Sequence, residues 1–550
     1  MAEVNAAEIA VATRPRARRE QLLVLCGVAV AAILSQLAIY LAFPANWGPD
    51  GAAYALVGAN FLQRHPFDIL LAYDRFWVHP VIALSFAKTF ASGAAWPLLQ
   101  QALFMLLLIP TFLVIRRSFG FLVAALVTFA IAVNQPFLAT MRVWSSEGIF
   151  GLAIWAGALC YLRALQKQGY RSAIVAGLAA AALPMIRPTA EYWVIFFVAG
   201  AMLVGMKKRY VLALVITFLL PTLIGLGVNK ARYGFFGYTW KTGRMAFYRV
   251  WDQDNSFSPE NGPNSRRLYD LMESDWPEIR EWNPETTAEY PTFEAMYRDS
   301  LKRTGYAYHY QMYYAFIYQV RSQMPNAEAD KFLKAVAYEA FRKDFGLYVR
   351  NTVRFSLMNL GLTQDRARFF AEPQEAFSPA RAEVAAPAPQ TGRPSETQWR
   401  FRPRPSYGKD QSEWQRGYTK AWAELASLWP QAPAGAPASA IRWNNRLRLA
   451  TPPQKLVIAL TLLAALTFLV KAFRKRTVQA VWVLVIACIV LSHPVAIALF
   501  YGALELHNLP MIPCELMLGV LGLACGVSIF RALQQRWERE GGDAKEAREL

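Results

Sequence analysis

Apolar residues gather in ten runs near 21–43, 95–115, 119–135, 147–163, 172–186, 190–206, 210–228, 455–471, 478–500 and 511–530. Each is close to the roughly 20 residues that cross the hydrocarbon core of a bilayer as a helix. The first has no small-residue cleavage site after it and too long an apolar core for a signal peptide, so it is expected to stay as a span. Two polar stretches interrupt the series, a first loop at 44–94 and an insert at 229–453. Helical periodicity recurs through 286–362, and a Pro/Ala-rich loop follows near 378–400. The pattern predicts an all-α polytopic membrane protein of about ten transmembrane helices carrying a mostly helical insert. No internal repeat is visible.

Basic residues set the expected orientation. "RPRARR" at Arg14–Arg19, "IRRS" near Arg116, "LRALQKQGYRS" near Arg163, "MKKR" near Lys207 and "KAFRKR" near Lys471 all fall on one side if the chain crosses ten times. That side is expected to be cytoplasmic. It would hold the 1–20 tail and the 531–550 tail, with the 21–228 module, the insert and the 454–530 spans between them. The first loop and the insert would lie outside. Composition agrees: 55% of the 550 residues are hydrophobic and 14% aromatic. The net charge of +19 is scattered between the spans with no interleaved basic–aromatic stripe, which fits topology and anionic lipid rather than nucleic acid. The five cysteines lie in or beside the apolar runs, so no disulfide framework is expected. No outward asparagine forms an N-x-S/T sequon, in keeping with a bacterial inner-membrane protein. Tyr233–Asp254, "YGFFGYTWKTGRMAFYRVWDQD", mixes rings and cations as a chain at a membrane interface would.

No P-loop, GxGxxG, HExxH or nucleophile-elbow motif stands in a plausible context. The chemistry-bearing residues instead sit at the outer ends of the runs. Asp50 follows Pro49 just after the first span. It is expected to cap a short helix on which Tyr54, Val57 and Phe61 share a face. Glu147 opens the fourth span beside Ser145 and Ser146, where a carboxylate also suits the helix dipole. Arg187 precedes Pro188 at the outer end of another span, and Lys241, Arg244 and Arg249 follow the seventh.

Five stretches together resemble the GT-C glycosyltransferases, the superfamily of the protein O-mannosyltransferases and lipid A aminoarabinose transferases. "PDGAAYALVGANFLQRHPF" resembles its first-loop acidic signature, and "YDRFWVHPVIALSF" (Tyr73–Phe86) the His/Pro segment later in that loop. "WSSEGIFGLAIWAGALCYLRAL" (Trp144–Leu165), "GLAAAALPMIRPTAEYW" (Gly177–Trp193) and "ELHNLPMIPCELMLGV" (Glu505–Val520) resemble the later acidic, Arg-Pro and closing elements. The chain departs from the pattern in two places. Val81 stands where a second proline follows Pro80, and His507–Asn508 stand where the family carries Arg-Tyr.

The resemblance implies transfer of a sugar from a polyprenyl-phosphate donor to an acceptor hydroxyl of an envelope glycan, lipid or protein on the extracytoplasmic face. A carboxylate would deprotonate the acceptor, and attack from the opposite face would invert the anomeric carbon. Cations placed in advance would stabilise the departing phosphate. Asp50 is then the expected base, Asp74 its rival, and Glu147 a residue that orients sugar or acceptor. Arg187, Lys241, Arg244, Arg249 and His507 are the expected phosphate contacts. His79 is assigned to the sugar or acceptor, and Tyr54 and Glu505 are further expected substrate contacts. No cofactor is certain. A divalent cation (Mg or Mn), if one is used, would take oxygens from Asp50 and Glu147. Two other classes remain open: an O-antigen polymerase or ligase, which would not need Asp50, and a non-enzymatic lipid-linked-sugar transporter or scaffold, which would be expected to show related halves and polar groups in mid-span.

Overall fold

In the computed structural model the described residues are 15–43, 45, 48–63, 75–239, 242–282, 289–301, 316–317, 319–362, 451–501 and 509–549, with scattered positions between 420 and 446. Their regular structure is helical, with no strand among them. Each apolar run forms a helix: α1 (Pro15–Ala42), α4 (Ala95–Phe119), α5 (Phe121–Ala132), α7 (Ser146–Lys167), α8 (Tyr170–Ile186), α9 (Trp193–Leu203), α10 (Lys208–Tyr233), α17 (Gln454–Lys475), α18 (Val478–Tyr501) and α19 (Ile512–Glu549). Seven of these are long and apolar enough to cross a membrane; α5, α8 and α9 are shorter. The protein is an all-α polytopic membrane protein.

Burial sorts the bundle into centre and rim. α7 and α18 are mostly enclosed, while α1 and α10 turn rows of leucine and isoleucine outward, as lipid-facing helices do. Small residues let the centre close up. Gly177 of α8 lies against Thr217 and the Leu214 carbonyl of α10, with no room for a side chain. Proline occurs inside α4, α8 and α10 at Pro110, Pro184 and Pro221, which a packed span tolerates better than a soluble helix. The basic connections meet at one end. Gln166 donates to Ser118 at 2.6 Å, Phe119 meets Phe468, and Arg209 lies over the Tyr170 ring.

The opposite end carries the polar stretches. In the first loop, α2 (Gly48–Leu62) packs on α3 (Val78–Thr89); a Cβ at Gly58 would come within 2.7 Å of the Pro80 carbonyl. The returning end of the insert covers this pair. Ala421, Leu425 and Leu428 share a small core with Ala55, Leu84, Trp96 and Trp144, and Gly93 N–H donates to the Leu428 carbonyl at 3.0 Å. The short helix α6 (Gln135–Thr140) lies between α5 and α7.

The front of the insert has its own aromatic core. It is built by α11 (Thr242–Tyr248), a π turn at Arg249–Gln253, α12 (Pro263–Ser274), α13 (Trp276–Trp282), α14 (Phe293–Ser300) and α15 (Asn326–Lys343). Phe247, Val250, Trp251 and Phe257 are sealed inside it. This corrects the expectation for Tyr233–Asp254. Phe247, Tyr248 and Trp251 are protein core rather than interface belt, because α11 and the turn after it pack onto α15, whereas Phe236 is 60% exposed. α16 (Phe345–Asn359) then packs along α18.

Candidate active site

Four separated stretches meet at the loop end of the bundle. The α2 helix starts at Gly48, which puts Asp50 in its first turn rather than at the expected N-cap. Asp50's side chain lies outside the described residues. In the helix sequence Asp50 stands four residues, about one turn, ahead of Tyr54. Tyr54 is buried, and its O–H donates to Ser146 Oγ at 2.6 Å.

Ser146 and Glu147 open α7 behind the extended residue Ser145. Arg187 reaches them because Pro188 forbids it a helical conformation. It leaves α8 at φ −139°, ψ 113°, with its N–H on the Leu183 carbonyl at 2.8 Å. From there Arg187 Nε donates to Ser146 Oγ at 2.8 Å and Nη2 pairs with Glu147 Oε1. Its guanidinium also lies 5.6 Å from the Phe150 ring centroid. Ser146 thus accepts from both Tyr54 and Arg187, leaving its own hydrogen to donate. Arg187 Nη1 and Glu147 Oε2 have no partner among the described residues, so the pair keeps the two N–H groups of Nη1 and one carboxylate oxygen for a ligand.

His79 stands behind Tyr54. Its ring meets Tyr54 edge-on at 4.9 Å and Trp96 at 5.5 Å. It is 2% exposed, and neither ring nitrogen has a hydrogen-bond partner among the described residues. Burial, reinforced by Arg187 and Arg75, pushes its pKa down to about 3, so it is a neutral imidazole at any physiological pH. Arg75 lies over the other partner, 4.8 Å from the Tyr54 ring centroid. Val81 has its own reason not to be a second proline, since its N–H closes the first turn of α3 on the Trp77 carbonyl at 2.9 Å.

The closing stretch reaches the same place through its described part. Gly151, one turn after Glu147 on α7, faces Pro510 so closely that a Cβ would lie 3.2 Å from its Cα. Glu505 and His507, with Asp74 and Lys241, lie outside the described residues. Two expected phosphate contacts lie on the insert. Arg244 is buried on α11, where its backbone N–H donates to Asp330 Oδ1 at 3.3 Å. Arg249 is 0% exposed and bonds to Asp254 Oδ2 (3.0 Å), the Tyr348 carbonyl (3.0 Å), the Leu499 carbonyl (3.1 Å) and the Ala498 carbonyl. It ties the insert to α18 and turns no donor outward, which corrects its assignment to phosphate.

Sequence reasoning did not foresee Ser146 as the junction of the cluster. Nor did it single out Arg75, Trp96 or His493, whose ring lies between Trp193 (5.3 Å) and Phe150 (6.3 Å) beneath Arg187. A run of outer-end polar residues was the only signal available, and it does not say which of them will touch. No group of three His, Cys, Asp or Glu side chains placed to hold a metal occurs among the described residues.

The fold and site define a polytopic helical membrane protein with a Tyr–Ser–Arg–Glu cluster, buried but for the half-buried Glu147, at the end of the bundle away from its basic loops. No family model and no curated protein matches the chain. Among solved structures it is similar to the crystal structure of the oligosaccharyltransferase of Archaeoglobus fulgidus in the apo form, with 10% identity and a TM-score of 0.35. The match covers 94% of this chain and 52% of that one, so the chain spans about half the length of that enzyme.

Proposed function

We propose that the protein is a GT-C-type glycosyltransferase of the bacterial inner membrane. It would move a sugar from a polyprenyl-phosphate donor to a hydroxyl of an envelope glycan, lipid or protein. Both termini would be cytoplasmic and the site extracytoplasmic. The observation that carries this reading is the meeting of Tyr54, His79, Ser146, Glu147 and Arg187. They come from four of the five stretches on which the resemblance rests, and the fifth arrives through Pro510.

In this reading Asp50 takes the proton of the acceptor hydroxyl as its oxygen attacks the anomeric carbon. The bond from that carbon to the phosphate oxygen breaks on the opposite face, with inversion. Polyprenyl phosphate leaves carrying the growing negative charge, and Arg187 Nη1 stands ready to donate to it. Glu147 holds the guanidinium by one oxygen and offers the other to a sugar hydroxyl. Ser146 fixes Nε, so the guanidinium is oriented before the donor arrives. A divalent cation, if used, would be held by Glu147 Oε2 and Asp50 and would offset phosphate charge.

The test is sugar transfer by purified protein in lipid, supplied with a panel of polyprenyl-phosphate sugars and envelope acceptors, beside Asp50→Asn of matched thermal stability. A positioned base is worth about 10²–10⁴ in rate, and a loss of that size in a folded variant is expected. Undiminished transfer removes Asp50 as the base and moves the role to Asp74 or Glu147. Absence of transfer by the unaltered protein from every donor favours the ligase and transporter alternatives.

A further inference from the structure

Helix α16, FGLYVRNTVRFSLMN, has two unlike faces. The inner face is clamped by polar bonds. Arg249 donates to the Tyr348 carbonyl and lies 4.2 Å from the Tyr348 ring centroid, and Asn351 Nδ2 donates to Asp254 Oδ1 at 2.9 Å. Two further bonds fix α16 along α18. Tyr348 O–H donates to the Leu499 carbonyl at 3.2 Å, and Asn359 Nδ2 to the Pro494 carbonyl at 3.4 Å.

Those two contacts measure depth. Leu499 ends the apolar length of a span that begins at Val478. Pro494 lies five residues before it, which at 1.5 Å per residue is about 7–8 Å below the end of the span. The α16 helix therefore runs antiparallel and obliquely beside α18, with its C-terminal turn lower than its N-terminal one. Helices that lie in a leaflet sink about 5–10 Å, the same range.

The outer face has no described residue packed against it that would explain its composition. Phe345, Val349, Val353 and Leu357 follow one another every four residues and are 66%, 43%, 56% and 38% exposed. Single exposed apolar residues are ordinary, but a continuous row beside a span is a patch. Val495 of α18, next to the Pro494 that Asn359 meets, is 41% exposed as well. Arg350 and Arg354 lie exposed along its edge, on stems long enough to reach headgroups.

We propose that α16 is embedded in the membrane. Its row of Phe345, Val349, Val353 and Leu357 enters the hydrocarbon of the leaflet at the C-terminal end of α18, and Arg350 and Arg354 reach the lipid phosphates. The insert would then be anchored in the bilayer as well as tied to α18. This does not depend on the glycosyltransferase assignment.

The test places a photocrosslinker in the full-length protein in bilayer discs of phosphatidylethanolamine and phosphatidylglycerol. Val353→p-benzoylphenylalanine and Val349→p-benzoylphenylalanine are compared with the same replacement at Leu219, on the outward side of α10, and at Glu273, an exposed residue of α12. The expected result is a mass gain of one phospholipid on the α16 peptide, as on the Leu219 peptide, with none at Glu273. Absence of a lipid adduct at both α16 positions, while Leu219 yields one, overturns the proposal. So does an adduct to a second copy of the chain, which would make this face a protein interface.

Discussion

Acidification should expose the cost of burying a neutral histidine. His79 ordinarily titrates at 6.5, and in the folded protein burial and the nearby guanidinium groups hold it near 3. Between those values the unfolded chain carries the proton and the folded one does not, so the unfolded state binds more protons and stability rises with pH. Above 6.5 the effect is absent, because both states are neutral. Below it, stability falls by about 1.4 kcal/mol per pH unit, or roughly 2.7 kcal/mol at about pH 4.5. The group is 2% exposed, so solvent screening takes little from this figure. Carboxylates titrate in the same window, and a single pH series would mix the two.

The assay therefore compares slopes. Unfolding free energies of the protein and of His79→Gln are measured in lipid bicelles from neutral pH down through the window. The variant loses the ring contacts with Tyr54 and Trp96, which shifts its absolute stability but not its dependence on pH. It should show a slope shallower by about 1.4 kcal/mol per unit. Parallel slopes would refute the reasoning, since they would mean that His79 takes up a proton as readily folded as unfolded.

Three further outcomes follow from the site and its support. Arg187→Ala should lower kcat/KM for sugar transfer about 10²–10³-fold, the effect of losing one preplaced donor, and Arg187→Lys should recover only part of it, because an ammonium cannot serve Ser146 and Glu147 in one plane; full activity in Arg187→Ala would refute the phosphate role. Arg249→Met should leave Asp254 buried without its cation and cost about 3–5 kcal/mol, with hydrogen exchange in α16 accelerated, whereas Arg249→Met with Asp254→Leu should recover most of the loss; a single variant as protected as the unaltered protein would refute the structural tie. Gly58→Ala should destabilise by about 1–3 kcal/mol, read as a lower thermal midpoint, because its methyl meets the Pro80 carbonyl and the Leu84 side chain; an unchanged midpoint would show that α2 and α3 are not in close contact.

What the sequence alone determined is what local physics decides. Ten apolar runs had to become helices, since a bilayer leaves backbone groups no other partner, and their basic connections had to gather at one end. The helix start at Ser146, the break at Arg187–Pro188 and the identities of the five stretches were legible for the same reason. Tertiary structure decided what each polar group would meet. Arg187 and Arg249 look alike in sequence, each a cation at the outer end of an apolar run or just beyond one. One keeps Nη1 uncommitted beside Glu147, while the other gives its donors to carbonyls 99 and about 250 residues away. The rings of Tyr233–Asp254 suggested an interface, yet it is α16 that turns an apolar row outward beside a span. A residue's type fixes what it can donate or accept; only the fold fixes whether protein has already taken it.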